Sequence, residues 1–379
     1  MTTLSDFYRG KRVLVTGHTG FKGSWLTLWL VELGAEVYGY ALEPPTKPSL
    51  FEEADIARRM TSHSIGDVRD YRLLSRAVRE IQPEIVFHLA AQPLVLYSYQ
   101  EPRETYETNV MGTVNLLEAV RSVGSVRVCQ IITSDKCYEN REWTYAYREN
   151  DPMGGVDPYS NSKGCAELVV GAYRQSFFHR ERLMEHGVSL ASVRAGNVIG
   201  GGDWATDRLI PDSIRALEKN ESVRVRNPQA IRPWQHVLEP LSGYLWLAVC
   251  QSNSPIPFAD AWNLGPSADG NVTVRQIVEQ IIKEWGGGAW ASLQTSMPQK
   301  MHEATFLKLD TTKAQNRLGW RPLYTIDEAV SATVQWYRFR GKSNKNNLQK
   351  FSVDQIQRYT ERGRESGVAW SLPVKTVEN

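Results

Sequence analysis

The chain is short of every feature that would mark a specialised class. Four cysteines in 379 residues, at positions 129, 137, 165 and 250, are too few and too irregularly spaced for a disulfide framework or a zinc site. They point to free thiols in a reducing compartment, and no metal is expected. Neither sign of charge dominates: 44 Lys and Arg against 42 Asp and Glu leave a net charge of +2. No broad field therefore draws the protein to nucleic acid or to an anionic membrane, and any anion must be bound locally. No apolar run approaches the ~20 residues of a membrane span. Residues 1–10 lack the cationic and then apolar pattern of a signal peptide, so a cytoplasmic protein is expected. Without export, Asn271-Val272-Thr273 is a loop tripeptide rather than a glycosylation site. No internal repeat or low-complexity tract interrupts the chain.

What is present is a rhythm of short apolar runs and helical patterns. Arg12–Thr16 reads as a strand, Gly23–Leu33 as an amphipathic helix, and Ala35–Tyr40 as a second strand after the Gly34 stop. The pattern continues through a helix at Tyr71–Glu80, a strand at Glu84–His88, a helix at Arg103–Val123 and a strand at Arg127–Thr133. A helix opening near Tyr159 and a sixth strand at Val188–Arg194 complete it. Such alternation predicts an α/β fold with a parallel sheet covered on both faces. Beyond it the rhythm fails. Residues 200–237, dense in Gly, Arg, Pro and Trp, read as loops over a ligand. Val274–Trp285 and Ile326–Arg338 read as helices of a smaller second lobe, and Lys342–Asn379 carries no firm assignment.

Three segments carry chemistry. Gly17, Gly20 and Gly23 lie between a predicted strand and a predicted helix. In that context a glycine loop lets backbone N–H groups and the positive helix end meet a pyrophosphate. Ser134, with Asp135 and Lys136, follows the Arg127–Thr133 strand. Tyr159 and Lys163, four apart, share one face of a helix. An ammonium beside a phenol favours the phenolate and lowers its pKa from ~10. Taken singly, the three are a tight turn, a polar strand end and a surface helix turn. Their order along the chain joins them into a nicotinamide-dependent enzyme with a tyrosine base.

This constellation resembles the extended short-chain dehydrogenase/reductase family of NAD-dependent epimerases and dehydratases. Within it the resemblance is to the CDP-glucose 4,6-dehydratase branch, and it runs from about Tyr8 to Trp336. It rests on Gly17-His18-Thr19-Gly20-Phe21-Lys22-Gly23-Ser24-Trp25-Leu26, Thr133-Ser134-Asp135-Lys136-Cys137-Tyr138 and Pro158–Glu167. Arg194–Trp204, containing Gly200-Gly201-Gly202-Asp203, and Ile231-Arg232-Pro233-Trp234-Gln235-His236-Val237 add to it.

The resemblance implies a Rossmann-type doubly wound parallel sheet with a smaller C-terminal mixed α/β substrate lobe. The NAD domain is then expected at residues 1–195 with a return segment near 237–262, and the nucleotide-sugar lobe at 196–236 and 263–379. It carries Gly17, Thr19, Gly20, Phe21, Lys22 and Gly23 to the cofactor, with Asp67 and Val68 at the adenine edge and Leu89, Ala90 and Ala91 at the ribose and phosphates. Tyr159 and Lys163 complete the cofactor set. NAD rather than NADP is expected because Tyr40-Ala41-Leu42-Glu43 ends the second strand without an arginine for a 2′-phosphate, leaving Glu43 to the ribose hydroxyls. His18 and Lys22 are bulky where many relatives carry Gly and an aliphatic residue, so looser cofactor binding is expected.

The implied substrate is CDP-glucose, met by Gln92, Ser134, Asn197, Trp204, Arg208, Leu209, Arg232, Gln235 and Glu303, with the arginines matched to phosphate oxygens. Trp204 and Trp234 have a plain alternative as core or lid packing, and His88 and His236 are read as structural. The implied reaction, a step of deoxysugar (lipopolysaccharide O-antigen-type) biosynthesis, oxidises C4, eliminates water across C5 and C6, and returns the hydride to C6. Tyr159 is the base at the 4-hydroxyl and Ser134 holds that oxygen. Asp135 is assigned as acid and Lys136 as base, with the reverse open. Relatives acting on dTDP-glucose or GDP-mannose carry a glutamate in place of Lys136. A lysine base must be largely neutral at working pH.

Two rivals remain: a sugar-nucleotide 4-epimerase or decarboxylating relative that leaves Asp135 and Lys136 idle, and a non-catalytic dinucleotide sensor. The helices at 103–123 and from Tyr159 onward resemble the family's two-helix interface, so a homodimer through four-helix packing is expected.

Overall fold

The computed structural model describes residues 3–293 and 306–372. Arg12–Thr16 (β1) is an interior strand of a seven-stranded sheet. The other strands are Glu36–Ala41 (β2), Ser62–Ile65 (β3), Ile85–His88 (β4), Val128–Ile132 (β5), Ser189–Ala195 (β6) and Ala261–Leu264 (β7), in the order β7-β6-β5-β4-β1-β2-β3. Every neighbouring pair is parallel. After β3 the chain crosses to the other side of β1, so the loops leaving β1 and β4 diverge above the strand ends. Such a switch point is where an open α/β sheet takes a ligand.

Successive residues of a strand face opposite ways, and the two cores follow from that. Val13 and Val15 pack with Phe21–Glu32 (α1) and the C-terminal helices, whereas Leu14 and Val86 pack on the other face. That second face is covered by Tyr71–Ile81 (α2), Gly112–Arg121 (α3) and Pro158–Ser176 (α4). In α2 the stripe is Leu74 and Val78, one turn apart, with Asp70 capping the Leu73 N–H at 3.0 Å. Each such side chain, fully buried, contributes about 1.5–3 kcal/mol. Because both faces are covered, β4, β5 and β6 are buried at every position.

The predicted helix at 103–123 is not uniform. It runs as Pro102–Tyr106, a π-helical turn at Glu107–Met111, and then α3. Residues 200–237 are not all loop either: Leu209–Glu218 (α5) is a helix burying Ile210, Ile214 and Leu217, whose spacing was masked by the surrounding Gly, Arg and Pro. The strand β3, Ser-His-Ser-Ile, is exposed throughout with one apolar residue, so it shows no periodicity and exists through its pairing with β2.

The other long helices among the described residues are Leu238–Asn253 (α6), Val274–Trp285 (α7), Ile326–Arg340 (α8) and Lys345–Glu365 (α9). The last fills much of the stretch that the sequence left unassigned. It returns to the nucleotide-loop side of the sheet, where Tyr359 stacks on Trp370 at 5.3 Å and both meet Trp29 of α1 edge-on.

Glu239 of α6 locks that return. It is 1 % exposed, and its carboxylate accepts the Leu323 and Tyr324 N–H groups and the Tyr359 hydroxyl. Burial pushes its pKa from 4.5 up to about 7, with those hydrogen bonds opposing. A carboxyl that holds its proton more tightly folded than unfolded favours the fold at acid pH, and that contribution is lost as pH rises through the interval. Glu239→Gln is therefore expected to flatten the decline in Tm between about pH 5 and pH 7. An unchanged slope in a pH series of thermal melts would assign the decline elsewhere.

Candidate active site

The strand β5 ends where Ser134 turns its side chain onto its own backbone. The Ser134 hydroxyl accepts the Lys136 N–H at 3.2 Å and donates to Asp135 Oδ1 at 3.0 Å, closing a 3-10 turn over Asp135–Cys137. Asp135 is 3 % exposed and its Oδ2 has no partner among the described residues. Burial raises its pKa, against the opposing charges of Lys136 and Arg232 and the Ser134 hydrogen bond. Facing this turn, α4 begins with Asp157 capping the Ser160 N–H at 2.9 Å and Pro158 in the first turn. Tyr159 follows, its N–H donated at 3.1 Å to Ser98, in a short helix after β4.

The phenol of Tyr159 is pushed up to about 12, by burial first and by the Asp135 charge; the Ser134 hydroxyl and Arg208 oppose the rise. Burial thus outweighs the lowering expected of a neighbouring cation. The Lys163 ammonium points to the Ile132 carbonyl at 3.5 Å, and its own pKa is lowered to about 8 by burial, with Glu167 opposing.

Ser134, Asp135, Lys136 and Tyr159 border a cavity of about 340 Å³, whose lining does not include Lys163. Of the residues expected from sequence, Phe21, Lys22, Ser134, Asp135, Lys136, Tyr159, Asn197, Arg208, Leu209 and Arg232 line it. Arg208 is held by Asp203 at 2.9 Å. Lys22, noted in the sequence only for its bulk, sits in the same chamber; its pKa falls to about 7 through burial and then the charges of Lys163 and Arg208, with Asp135 opposing.

The glycine loop fits a dinucleotide. A Cβ on Gly17 would lie 2.6 Å from the Ala90 nitrogen, and one on Gly23 2.0 Å from the Gly17 carbonyl oxygen, so these two glycines bring β1, α1 and the end of β4 together. Gly20 is different: a Cβ there would meet only the Gly17 oxygen, at 3.4 Å, so the backbone is open to close approach at the start of α1, which has no side-chain cap. Thr19 ties the loop to the Leu42 carbonyl at 2.9 Å, and the Leu89 and Ala90 N–H groups reach Thr16, leading Ala91 from the same strand end. At the β3 end Asp67 is engaged by Arg69, and Val68 packs over Gly112. His18 is buried edge-on to Phe51 and His63 and against Gly39, so its ring fills the protein rather than the loop. Glu43 is exposed two residues past β2.

Three expected substrate contacts are used elsewhere. Gln92 donates to Thr105 at 2.8 Å and accepts from the Leu94 N–H, closing its own turn. Gln235 donates to the Leu264 carbonyl at 2.9 Å. Trp204 is packed edge-on to Tyr337 with the Arg340 guanidinium over its ring, the packing alternative. His88 and His236 are pushed down to about 3 by burial and stand neutral. Glu303 lies outside the described residues.

One residue escaped sequence reasoning. The π-helical turn directs Asn109 inward, where it donates to the Gln92 carbonyl at 3.0 Å and the Ser162 hydroxyl at 2.9 Å and accepts the Gln92 N–H. It joins the loop after β4 to the helix carrying Tyr159 and Lys163. No spacing distinguishes it from a surface asparagine.

The family model described as GDP-mannose 4,6 dehydratase matches residues 14–333. The chain is 57% identical over 334 residues to the CDP-glucose 4,6-dehydratase of Salmonella typhimurium, covering 88% of this chain and 92% of that one. Among solved structures it superposes on a dTDP-glucose 4,6-dehydratase from Streptomyces venezuelae with a TM-score of 0.73 at 23% identity, over 87% and 98% of the two chains. A UDP-glucose 4-epimerase from Thermotoga maritima gives 0.69 at 21%, over 86% and 98%. These two likenesses speak for the fold, which dehydratases and epimerases share. The family match spans most of the sequence, and the chain belongs to the GDP-mannose 4,6 dehydratase family of extended short-chain dehydrogenase/reductases.

Proposed function

We propose that the protein converts CDP-D-glucose to CDP-4-dehydro-6-deoxy-D-glucose and water with NAD recycled, in deoxysugar biosynthesis of the lipopolysaccharide O-antigen type. The observation that carries this reading is a buried carboxyl, Asp135, with an oxygen that has no partner among the described residues, in the same chamber as Ser134 and Tyr159. Oxidation or epimerisation alone has no use for it. When bound, NAD supplies a hydride acceptor at C4 that becomes the donor at C6.

The residues divide the proton work. Tyr159 takes the proton of the 4-hydroxyl while Ser134 holds that oxygen. Arg208 is the cation that favours the phenolate, working against burial. Once C4 is a ketone the C5 hydrogen is acidic, and Lys136 removes it. Asp135, whose proton burial helps to retain, gives it to the departing 6-hydroxyl, and water leaves. Lys136 returns its proton to C5, and the proton that Tyr159 took from the 4-hydroxyl replaces the one that Asp135 gave, so the balance is the loss of one water. Arg208 and Arg232 meet the diphosphate, with Asn197 and Leu209 along the same wall.

We place the dinucleotide on residues 1–195 and 237–262, and the nucleotide sugar on 196–236 and 263–379. The cofactor set is Gly17, Thr19, Gly20, Phe21, Lys22, Gly23, Asp67, Val68, Leu89, Ala90, Ala91, Tyr159 and Lys163. We also propose a cytoplasmic homodimer. Supporting it, Met111 and Leu168, exposed by 50% and 62%, leave apolar surface on the helical segments before α3 and along α4. Among the described residues no helix is long and apolar enough to cross a membrane.

Incubation with CDP-glucose and NAD is expected to yield a product lighter by one water that absorbs in alkali. A C4 epimer of unchanged mass, or NAD binding without turnover of any sugar nucleotide, would replace this reading. Asp135→Asn and Lys136→Met are each expected to slow dehydration about 100-fold or more while sparing sugar oxidation, seen as NADH absorbance. Full dehydration in both would remove the acid and base roles. Titration of NAD into the apoprotein is expected to show readily reversible binding; retention at nanomolar affinity through purification would contradict it.

A further inference from the structure

Behind the Ser134 turn lies a buried ionic network that the proposed reaction does not use. Glu167 is on α4, one helical turn beyond Lys163, and is 5% exposed. Its Oε1 accepts from the Thr133 hydroxyl; its Oε2 accepts from Ser192 at 2.7 Å and from Arg194 Nη2 at 2.7 Å. Arg194, on β6, also donates to the Tyr138 hydroxyl at 2.7 Å and the Glu149 carbonyl at 3.0 Å. Thr133 and Tyr138 flank the segment from Ser134 to Cys137. The carboxylate thus holds one end of that segment directly and the other through Arg194, from the helix that carries Tyr159 and Lys163.

A hydrophobic cluster of equal volume is often as stabilising as a buried ion pair. The charge has a separate consequence at Lys163. The groups that face this ammonium are Glu167 from its own helix, Cys137 from the turn, Lys22 from α1 and His88 from the end of β4. His88 is neutral, the Cys137 thiol is pushed up by burial, and Lys22, lowered to about 7, is a cation only below neutral pH. Glu167 is the carboxylate of this set.

We propose that Glu167 is a positioning residue for the reaction, which sets the Ser134 turn against α4 and keeps Lys163, a member of the proposed cofactor set one turn back along that helix, as an ammonium. This rests on the dehydratase reading for its consequence in turnover, but not for the charge of Lys163.

The test reads that charge directly. In lysine-labelled protein the Lys163 Cε resonance, assigned by its loss in Lys163→Met, is followed with pH. In Glu167→Gln its midpoint is expected to move down by about one unit, and the alkaline limb of kcat to move with it while KM changes little. Glutamine leaves Arg194 buried without a counter-charge, so the double variant Glu167→Gln/Arg194→Met is measured alongside and is expected to show the same shift. Thr133→Val keeps the charge and cuts the tie; it is expected to lower kcat with the midpoint unmoved. A wild-type midpoint in either folded Glu167 variant overturns the proposal. A shifted midpoint in a protein whose wild type does not turn over CDP-glucose upholds the role of Glu167 and removes the dehydratase reading instead.

Discussion

Desolvation of charge around one chamber is the constraint on which this structure turns. Lys22, Asp135 and Arg208 line it at the carboxyl ends of the strands, with Lys163 nearby at the end of β5, and burial is the first influence on each of them. Burial moves the two lysines down and the aspartic acid up, toward the range in which proton transfer is possible near neutral pH. It moves Tyr159 the other way, and the charge of Arg208 and the hydroxyl of Ser134 are what oppose that rise. In the proposed reaction the environment therefore prepares the acid more than the phenolate, and Arg208, the residue before α5, is a cation that favours the phenolate from a distant part of the chain.

Holding such a chamber together requires rigid neighbours. Asn109 and Ser98 bind α4 to the loop after β4, and Glu167 and Arg194 bind it to β5 and β6. The turn that presents Ser134, Asp135 and Lys136 thus lies between two buried polar networks. The C-terminal helices add weight from the other side of the sheet, with Glu239 as their anchor to α6.

Much of the sheet was legible because buried strands are apolar and the helices between them are striped. The misses have local causes. The strand β3 is exposed with one apolar residue, so pairing alone makes it a strand. The stripe of α5 lies among Gly, Arg and Pro residues that read as loop. The π-helical turn at Glu107–Met111 leaves no mark in composition. Of the proposed site, Ser134, Asp135, Lys136 and Tyr159 share the chamber with Arg208 and Arg232 from a distant segment. Gln92, Gln235 and Trp204 lie outside the lining of the cavity, each tied to neighbours within the fold, although the buried Gln235 Oε1 and the Trp204 indole N–H have no partner among the described residues.

The order of the motifs and the period of the apolar residues already determined the α/β architecture, the glycine loop at the start of α1, and the Tyr-Lys helix, because each depends on residues close together in the chain. Three matters were decided only by the fold: which cation acts on Tyr159, whether Lys22 reaches the chamber, and which carboxylate faces Lys163. The physical reason is that charge and burial act through space, so a proton's affinity is set by groups that the folded sheet brings together from far along the chain.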